Sequence, residues 1–323
     1  MPKKSRRRWF DWTVDRLGRG LLWTAFRLPY ERRVPMMGAA FRALGGLTGY
    51  RARAETQLDY IFPDMPASER RRIARAVLDN FGRVLIENYS TADQLARARR
   101  WQPHGPGLAA CEAARAEGRA ILFVSGHYGN YQAARAAMNV RGYQMGGLYR
   151  LMNNPYSNDR YVASVEGVGG QAFARDRRGL VGFVRVLRDG GQGAILIDQF
   201  SGNGVPLEFL GKPAPTVLSA AEMALKHDAL LVPIYAERLE NGLDFDVTVE
   251  APIPQSDART MTQALNDSLA ARVRARPGQW FWVHRRWKPE RQARNLPPSA
   301  PEVAAEETLP DTSAGDTPRP PLP

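Results

Sequence analysis

Cysteine and histidine are scarce in this sequence. Its 323 residues include one cysteine, Cys111, and four histidines, at positions 104, 127, 227 and 284. A single cysteine excludes an internal disulfide framework and is typical of proteins in a reducing compartment. The histidines are widely separated and show none of the spacings that bind zinc, so no metal site is predicted.

Long hydrophobic runs are also missing. A membrane-spanning helix needs about 20 consecutive apolar residues, and Arg16, Arg19 and Arg27 interrupt every candidate near the N-terminus. The same charges interrupt the apolar stretch that a secretory signal peptide requires. The sequence also has no G-x-S-x-G elbow, which argues against a serine hydrolase of that class.

Acidic residues are too few to balance the basic ones, and the formal net charge is +12. Such an excess suits an anionic partner: a membrane surface, an acidic protein or a nucleic acid. Residues 1–33 hold ten Lys or Arg against three acids, with Trp and Phe between them. Because this mixture suits a membrane interface, we predict that residues 1–60 form a basic helical segment that associates with a membrane surface. An ordinary amphipathic helix packed on the protein's own core is the alternative.

The most informative stretch of the chain is a strand followed by a helix. Ile121–Val124 is a short run of β-branched, aliphatic and aromatic residues, which predicts a buried strand, and a helix is predicted from Asn130. His127 therefore lies where a strand passes into a helix, the usual place for chemistry in an α/β sheet. A glycine lies near it on each side, which allows close approach of backbone or substrate. Gln132 is about one helical turn further on and is expected to face the imidazole.

The segment SGHYGNYQ, residues 125–132, resembles the His-x4-Asp/Glu motif of the lysophospholipid acyltransferase superfamily. Its surroundings resemble more narrowly the lipid A biosynthesis acyltransferases, which move a fatty acyl chain from acyl carrier protein to a membrane-bound acceptor. The resemblance implies that His127 is the general base and that an acid at position 132 orients it. Here that position is Gln132, whose amide can fix a ring tautomer but cannot offset positive charge on the ring.

Further blocks follow in the family's order: GGLYRLMNNP at 146–155, IDQFSGNGVPLEFLGKPAPT at 197–216, VPIY at 232–235 and GQWFWVHRRWK at 278–288. The resemblance implies that Arg150 binds acidic groups, either an acceptor phosphate or the phosphopantetheine of the carrier. It also implies that the aromatic residues of 278–288 pack the end of the domain. Arg285 and Arg286 are expected to face anionic headgroups or the acidic surface of acyl carrier protein.

Three more predictions come from the residues themselves. Asp198 follows a predicted buried strand and is hypothesised to be the carboxylate nearest His127, the alternative being an aspartate that caps its own loop. Arg175 opens a run of three arginines in four positions after another predicted strand, which indicates an anion site or a solvated run. The backbone N–H groups of Gly129 and Asn130, at the start of a helix, are expected to stabilise an oxyanion.

The alternation of strands and helices predicts an α/β fold with a predominantly parallel or mixed central sheet flanked by helices. Residues 61–290 are predicted to form the acyltransferase domain, following the helical, membrane-facing segment. Residues 291–323 are proline-rich and acidic without periodicity, so we predict a disordered tail.

The resemblance implies an O-acyltransferase that acts on a lipid A precursor, peripheral on the cytoplasmic face of a bacterial inner membrane. No cofactor is expected beyond the acyl thioester of acyl carrier protein. A catalytically weak or inactive homologue that keeps the lipid site is one alternative, because of Gln132. A nucleic-acid-binding protein would explain the charge and residues 278–288 but neither 121–132 nor 197–216, so no nucleic-acid partner is expected.

Overall fold

The computed structural model describes residues 3–289. The tail predicted at 291–323 lies outside the described residues, as does residue 290. The helices in order are α1 (Lys3–Ala25), α2 (Tyr30–Leu44), α3 (Tyr50–Ile61), α4 (Ala67–Tyr89), α5 (Thr91–Ala98), α6 (Leu108–Ala116), α7 (Tyr131–Asn139), α8 (Pro155–Glu166), α9 (Arg177–Arg188), α10 (Ser219–Lys226) and α11 (Ala258–Ala275). The strands are β1 (Ile121–Ser125), β2 (Met145–Tyr149), β3 (Ala172–Ala174), β4 (Gln192–Leu196), β5 (Val205–Phe209), β6 (Lys212–Thr216), β7 (Leu230–Arg238) and β8 (Phe245–Val249).

Six strands form one twisted layer in the order β3-β2-β4-β1-β7-β8. Five are parallel, and β8 joins the edge antiparallel to β7, with Ile234 opposite Val249. A mixed sheet with helices around it confirms the predicted α/β class. The parallel strands bring the carboxyl ends of β1, β4, β2 and β3 to the same edge of the sheet.

Strand β1 is buried on both faces, as a central parallel strand must be. Its side chains alternate between two hydrophobic clusters. Ile121 and Phe123 pack in the cluster that contains the alanines of α7, and Leu122 and Val124 pack in the cluster that contains α10. A layer of apolar side chains on each face holds the end of β1 firmly in place.

A third hydrophobic cluster joins α4, the β5–β6 hairpin and the C-terminal segment. Trp280, Trp282 and Trp287 are almost completely buried there, and they pack with Phe209 of the β5–β6 hairpin and Leu78 of α4. The packing role that the resemblance implies for the aromatic residues of 278–288 is therefore seen in the structure.

The N-terminal helices pack with the rest of the chain, and the described residues up to Trp287 belong to one compact unit. On α1, Asp15 is buried and accepts hydrogen bonds from Ser157 and Arg160 of α8, both at 3.0 Å. Other positions of α1 are strongly exposed, among them Trp9 at 69% and Trp23 at 63%. No helix in the described part of the chain is long and apolar enough to cross a membrane.

Candidate active site

His127 and Asp198 meet at the edge of the sheet, just beyond the ends of β1 and β4. Nδ1 of His127 lies 2.7 Å from Oδ1 of Asp198, and Oδ2 of the same carboxylate accepts from the backbone N–H of His127 at 2.7 Å. Trp280 Nε1 donates to Oδ2 as well, at 2.8 Å. The two residues are 71 positions apart in sequence, and the pairing of Ser125 with Leu196 brings them together.

Asp198 is completely enclosed, yet its ionised form is favoured. Burial alone would raise its pKa, but the positive charge that His127 carries when protonated and the hydrogen bonds from that residue hold the pKa of Asp198 well below its usual range. An ionised carboxylate can only accept hydrogen bonds, so the proton between the two groups belongs to Nδ1 of His127. Nε2, the nitrogen away from Asp198, is then the basic position of the ring.

The hydrogen bonds of Gln132 do not go to the imidazole, contrary to the prediction. Its amide oxygen accepts from Nη1 of Arg135 at 2.6 Å, and both side chains are buried. The guanidinium of Arg135 also donates to the carbonyls of three residues, Met145, Val165 and Gly169. The carboxylate at the ring is that of Asp198, so the position that the resemblance assigns to an acid serves a buried arginine here.

The expectation of free N–H groups at Gly129 and Asn130 is wrong. Gly129 N–H donates to the carbonyl of Gln279 at 3.0 Å, and Asn130 N–H donates to that of Ala236 at 3.1 Å. Asn130 caps α7 through Oδ1, which accepts from the N–H of Gln132 at 2.9 Å. Gly129 has a φ of +54°, and a Cβ there would lie 1.8 Å from the Ala236 carbonyl oxygen, so only glycine fits. Both residues therefore shape the loop after β1.

The segment 280–286 completes the site. Sequence reasoning named Arg285 and Arg286 in this segment but did not predict that it contacts His127. The backbone N–H of Phe281 donates to the carbonyl of His127 at 3.0 Å, so this segment lies directly along the His127 loop. Its His284 ring stands 4.8 Å from the His127 ring, measured between centroids. Burial, with a smaller contribution from the nearby His127, lowers the pKa of His284 to about 4, so it is neutral at neutral pH.

The prediction that Arg286 faces anionic headgroups is wrong. Its guanidinium is fully buried and donates to the carbonyls of Gln199 and Pro215 at 3.1 and 2.5 Å, and to Thr216 Oγ1 at 2.5 Å. Arg286 thus fixes the backbone next to Asp198. The sequence could not predict this role, because the alternation of aromatic and basic residues does not show which arginine is buried and which is exposed.

An apolar cavity of about 180 Å³ opens beside His127. Its wall is formed by the C-terminal half of α4 and by aromatic residues of the C-terminal segment, including Val77, Phe81, Val84, Leu85, Trp280 and Phe281. Asn88, Tyr131 and Tyr161 provide polar groups in the lining. The basic ring is thus next to a space that suits a hydrocarbon chain.

Comparison with known proteins accounts for nearly the whole chain. Residues 2–289 match the bacterial lipid A biosynthesis acyltransferases. The chain belongs to this family. It is 24% identical over 271 residues to a lipid A biosynthesis acyltransferase of Haemophilus influenzae, which covers 81% of this chain and 83% of the relative. It is also 29% identical over 84 residues to a phosphatidylinositol mannoside acyltransferase of Mycobacterium tuberculosis, covering 26% of this chain and 27% of that protein.

In this member of the lipid A acyltransferase family, three arginines that were predicted to bind anions lie apart from the His127–Asp198 pair. Arg150 and Arg175 are exposed and follow β2 and β3, which are two and three strands away from β1. Arg150 donates to Asn153 Oδ1 at 2.9 Å. Arg285 is exposed on the C-terminal segment. All three are accessible to an anionic ligand, and neither Arg150 nor Arg175 has an ion pair among the described residues.

Proposed function

We propose that this acyltransferase moves a fatty acyl chain from acyl carrier protein to a hydroxyl of a lipid A precursor, with His127 as general base. The observation that carries this proposal is the His127–Asp198 pair at the mouth of an apolar cavity. The name of the Haemophilus influenzae relative supports lipid A biosynthesis as the process.

The proposed reaction uses the basic nitrogen of His127. Asp198 keeps the proton of the neutral ring on Nδ1, so Nε2 takes the proton of the acceptor hydroxyl while its oxygen attacks the thioester carbonyl carbon. The tetrahedral intermediate then collapses and the carbon–sulfur bond breaks. The imidazolium returns its proton from Nε2 to the departing thiolate of the carrier. The products are the lipid ester and the free thiol.

A covalent acyl-enzyme is not part of this proposal. The one cysteine, Cys111, is buried in α6, and burial raises the pKa of its thiol to about 12. A thiol with that pKa stays protonated at neutral pH and is a poor nucleophile. Direct transfer between the two substrates needs only the imidazole and the carboxylate described above.

The surroundings of the pair suit the two substrates. The cavity lined by Phe81, Val84 and Leu85 would hold the acyl chain, because burying hydrocarbon there removes it from water. Arg150 and Arg175, at the same edge of the sheet, would bind acceptor phosphate or the phosphopantetheine and acidic surface of the carrier. We propose the same anionic partners for Arg285.

We also propose that the protein works peripherally at the cytoplasmic face of a bacterial inner membrane. Exposed aromatic residues of α1, such as Trp9 and Trp23, share the helix with arginines that suit anionic lipid headgroups. The acceptor lipid would then meet the enzyme at the membrane surface.

Acyl transfer from radiolabelled acyl carrier protein to a lipid A precursor tests this function. We expect His127→Ala to lower kcat by about 10²- to 10⁴-fold, the range of general-base assistance. Asp198→Asn should have an effect of similar size, because an amide can donate as well as accept, so it does not enforce the Nδ1–H tautomer, and it cannot offset the positive charge of the imidazolium. His227→Ala is the matched control and should keep the wild-type rate. His227 follows α10 and lies near the amino end of β7, whereas the site lies at the carboxyl ends of the strands. Full activity in His127→Ala would contradict the proposal, as would no transfer by the wild-type protein.

A further inference from the structure

The side chain of Gln199 lies between two imidazole rings. Its Nε2 is 3.4 Å from Nε2 of His127 and 3.3 Å from Nε2 of His284. Gln199 is exposed, whereas the neighbouring Asp198 is buried. The amide of this exposed residue therefore lies at the basic nitrogen of His127, between it and His284.

The ionised state of Asp198 decides which end of this amide faces His127. Because the ionised carboxylate takes the proton on Nδ1, Nε2 of the neutral His127 ring can only accept a hydrogen bond. The NH2 group of Gln199 is the end of the amide that can donate to it, and its second hydrogen is available to His284. Nε2 of His284 must then also be an acceptor, which puts the proton of that neutral ring on its Nδ1.

We propose that Gln199 is a positioning residue whose amide donates to Nε2 of both His127 and His284 and fixes both rings in the Nδ1–H tautomer. The acceptor hydroxyl then replaces the amide on His127, while the hydrogen bond to His284 keeps Gln199 in the site. This inference rests on the proposed function for the exchange step, whereas the tautomers follow from the hydrogen-bond geometry and the ionised state of Asp198.

The backbone holds Gln199 where this role requires it. Nη1 of Arg286 donates to the carbonyl of Gln199 at 3.1 Å. Other groups that face the two rings are the carboxylate of Asp198, on the Nδ1 side of His127, the edge of Tyr131 from α7 and the ring of Phe281. Apart from the two histidines, the ionisable groups of the described residues that contact these rings or the backbone of Gln199 are thus Asp198, Tyr131 and the buried guanidinium of Arg286.

Two substitutions at this exposed position separate the role of the amide from mere bulk. Gln199→Met keeps the length of the side chain but donates no hydrogen bond, so the pKa of His284 should rise from about 4 by about 0.5 to 1. Gln199→Glu places a carboxylate between the rings, which favours their charged forms. The matched control is Gln171→Glu, an exposed glutamine just before β3.

The measurement is nitrogen-15 NMR of the full chain with labelled histidine, with assignments from the His127→Ala and His284→Ala variants. In the neutral form of both wild-type rings, Nδ1 should be protonated and Nε2 unprotonated. In Gln199→Glu, we expect positive charge on the rings at pH 7 and kcat lower by about tenfold or more, recovering at higher pH. Gln171→Glu should match the wild type in both readouts.

A protonated Nε2 on either neutral ring of the wild type would overturn the proposal. Unchanged ring signals together with an unchanged pH–rate profile in Gln199→Glu would overturn it as well. The NMR readout does not need turnover, so it decides the role of Gln199 even if no acyl transfer is found. Absence of transfer with the expected tautomers would count against the proposed function and leave the positioning role supported.

Discussion

At the scale of single residues, the acid of the site comes from a different part of the chain than the motif implies. Asp198 holds Nδ1 of His127, while Gln132, in the acid's position, serves Arg135. Burial lowers the pKa of Arg135 to about 10, and its hydrogen bonds go to an amide and to backbone carbonyls rather than to a carboxylate. The neutral amide at position 132 is therefore compatible with an active site.

Gln132→Glu should change the rate little. The ring proton is already bound by Asp198, and the new carboxylate would pair with Arg135, so we expect kcat within about threefold of wild type. Because hydrogen bonds between charged groups are stronger than those to neutral amides, the free energy of unfolding should rise by about 1 kcal/mol. The acyl-transfer assay and urea unfolding measure the two effects.

The control at this position is Gln132→Leu, which leaves the Arg135 guanidinium short of an acceptor. It should lower the free energy of unfolding by about 1–3 kcal/mol. A rise in kcat of about 10²-fold in Gln132→Glu, the size of general-base assistance, would show instead that residue 132 acts on the imidazole.

At the scale of secondary-structure elements, one buried ion pair joins α4, β7 and the loop before α7. Both oxygens of Glu87 accept from Arg238, Oε1 from Nη1 at 2.5 Å and Oε2 from Nη2 at 2.7 Å. Oε2 also accepts from Nδ2 of Asn130 at 2.8 Å, and Asn130 caps α7. The pair thus links the helix that lines the cavity to the loop that carries His127.

Glu87→Ala should lower the free energy of unfolding by about 3–5 kcal/mol, because it leaves the Arg238 guanidinium buried and unpaired. Adding Arg238→Met should restore part of this loss, since the double variant buries no unpaired charge. Glu69→Ala is the matched control on the same helix, because Glu69 pairs with Arg72 at the surface. Its effect should be much smaller, because an ion pair in contact with water contributes little to stability. Equal losses for Glu87→Ala and Glu69→Ala in urea unfolding would contradict the structural role of the buried pair.

The elements that carry the site could be predicted from the sequence because their signals are local. Ile121–Val124 lies within β1, and Asp198 could be paired with His127 because both follow buried strands of a parallel sheet. The contacts of residues 280–286 could not be predicted in this way. His284 and Arg286 reach the site along an irregular segment, and neither strand nor helix periodicity specifies which of its side chains turn inward.

The N–H groups of Gly129 and Asn130 show a second limit of local signals. A helix start leaves N–H groups without partners inside the helix, so the sequence predicts them to be free. Tertiary structure assigns them to the carbonyls of Gln279 and Ala236, which come from distant parts of the chain. Local pattern therefore predicted where the site lies, and long-range contacts decided which of its groups are available to a substrate.

At the scale of the whole molecule, the charge of +12 and the exposed side chains of α1 lead to a prediction about membranes. Leu17 on α1 is 69% exposed and lies among arginines, and Leu239, after β7, is 44% exposed. If α1 lies on the membrane, Leu17→Ser should weaken binding to phosphatidylglycerol vesicles by about tenfold, since an apolar side chain then stays out of the lipid. Leu239→Ser should bind like wild type, and added salt should weaken binding of all three proteins. Equal vesicle binding by the two variants in a sedimentation assay would mean that α1 is only a packing helix.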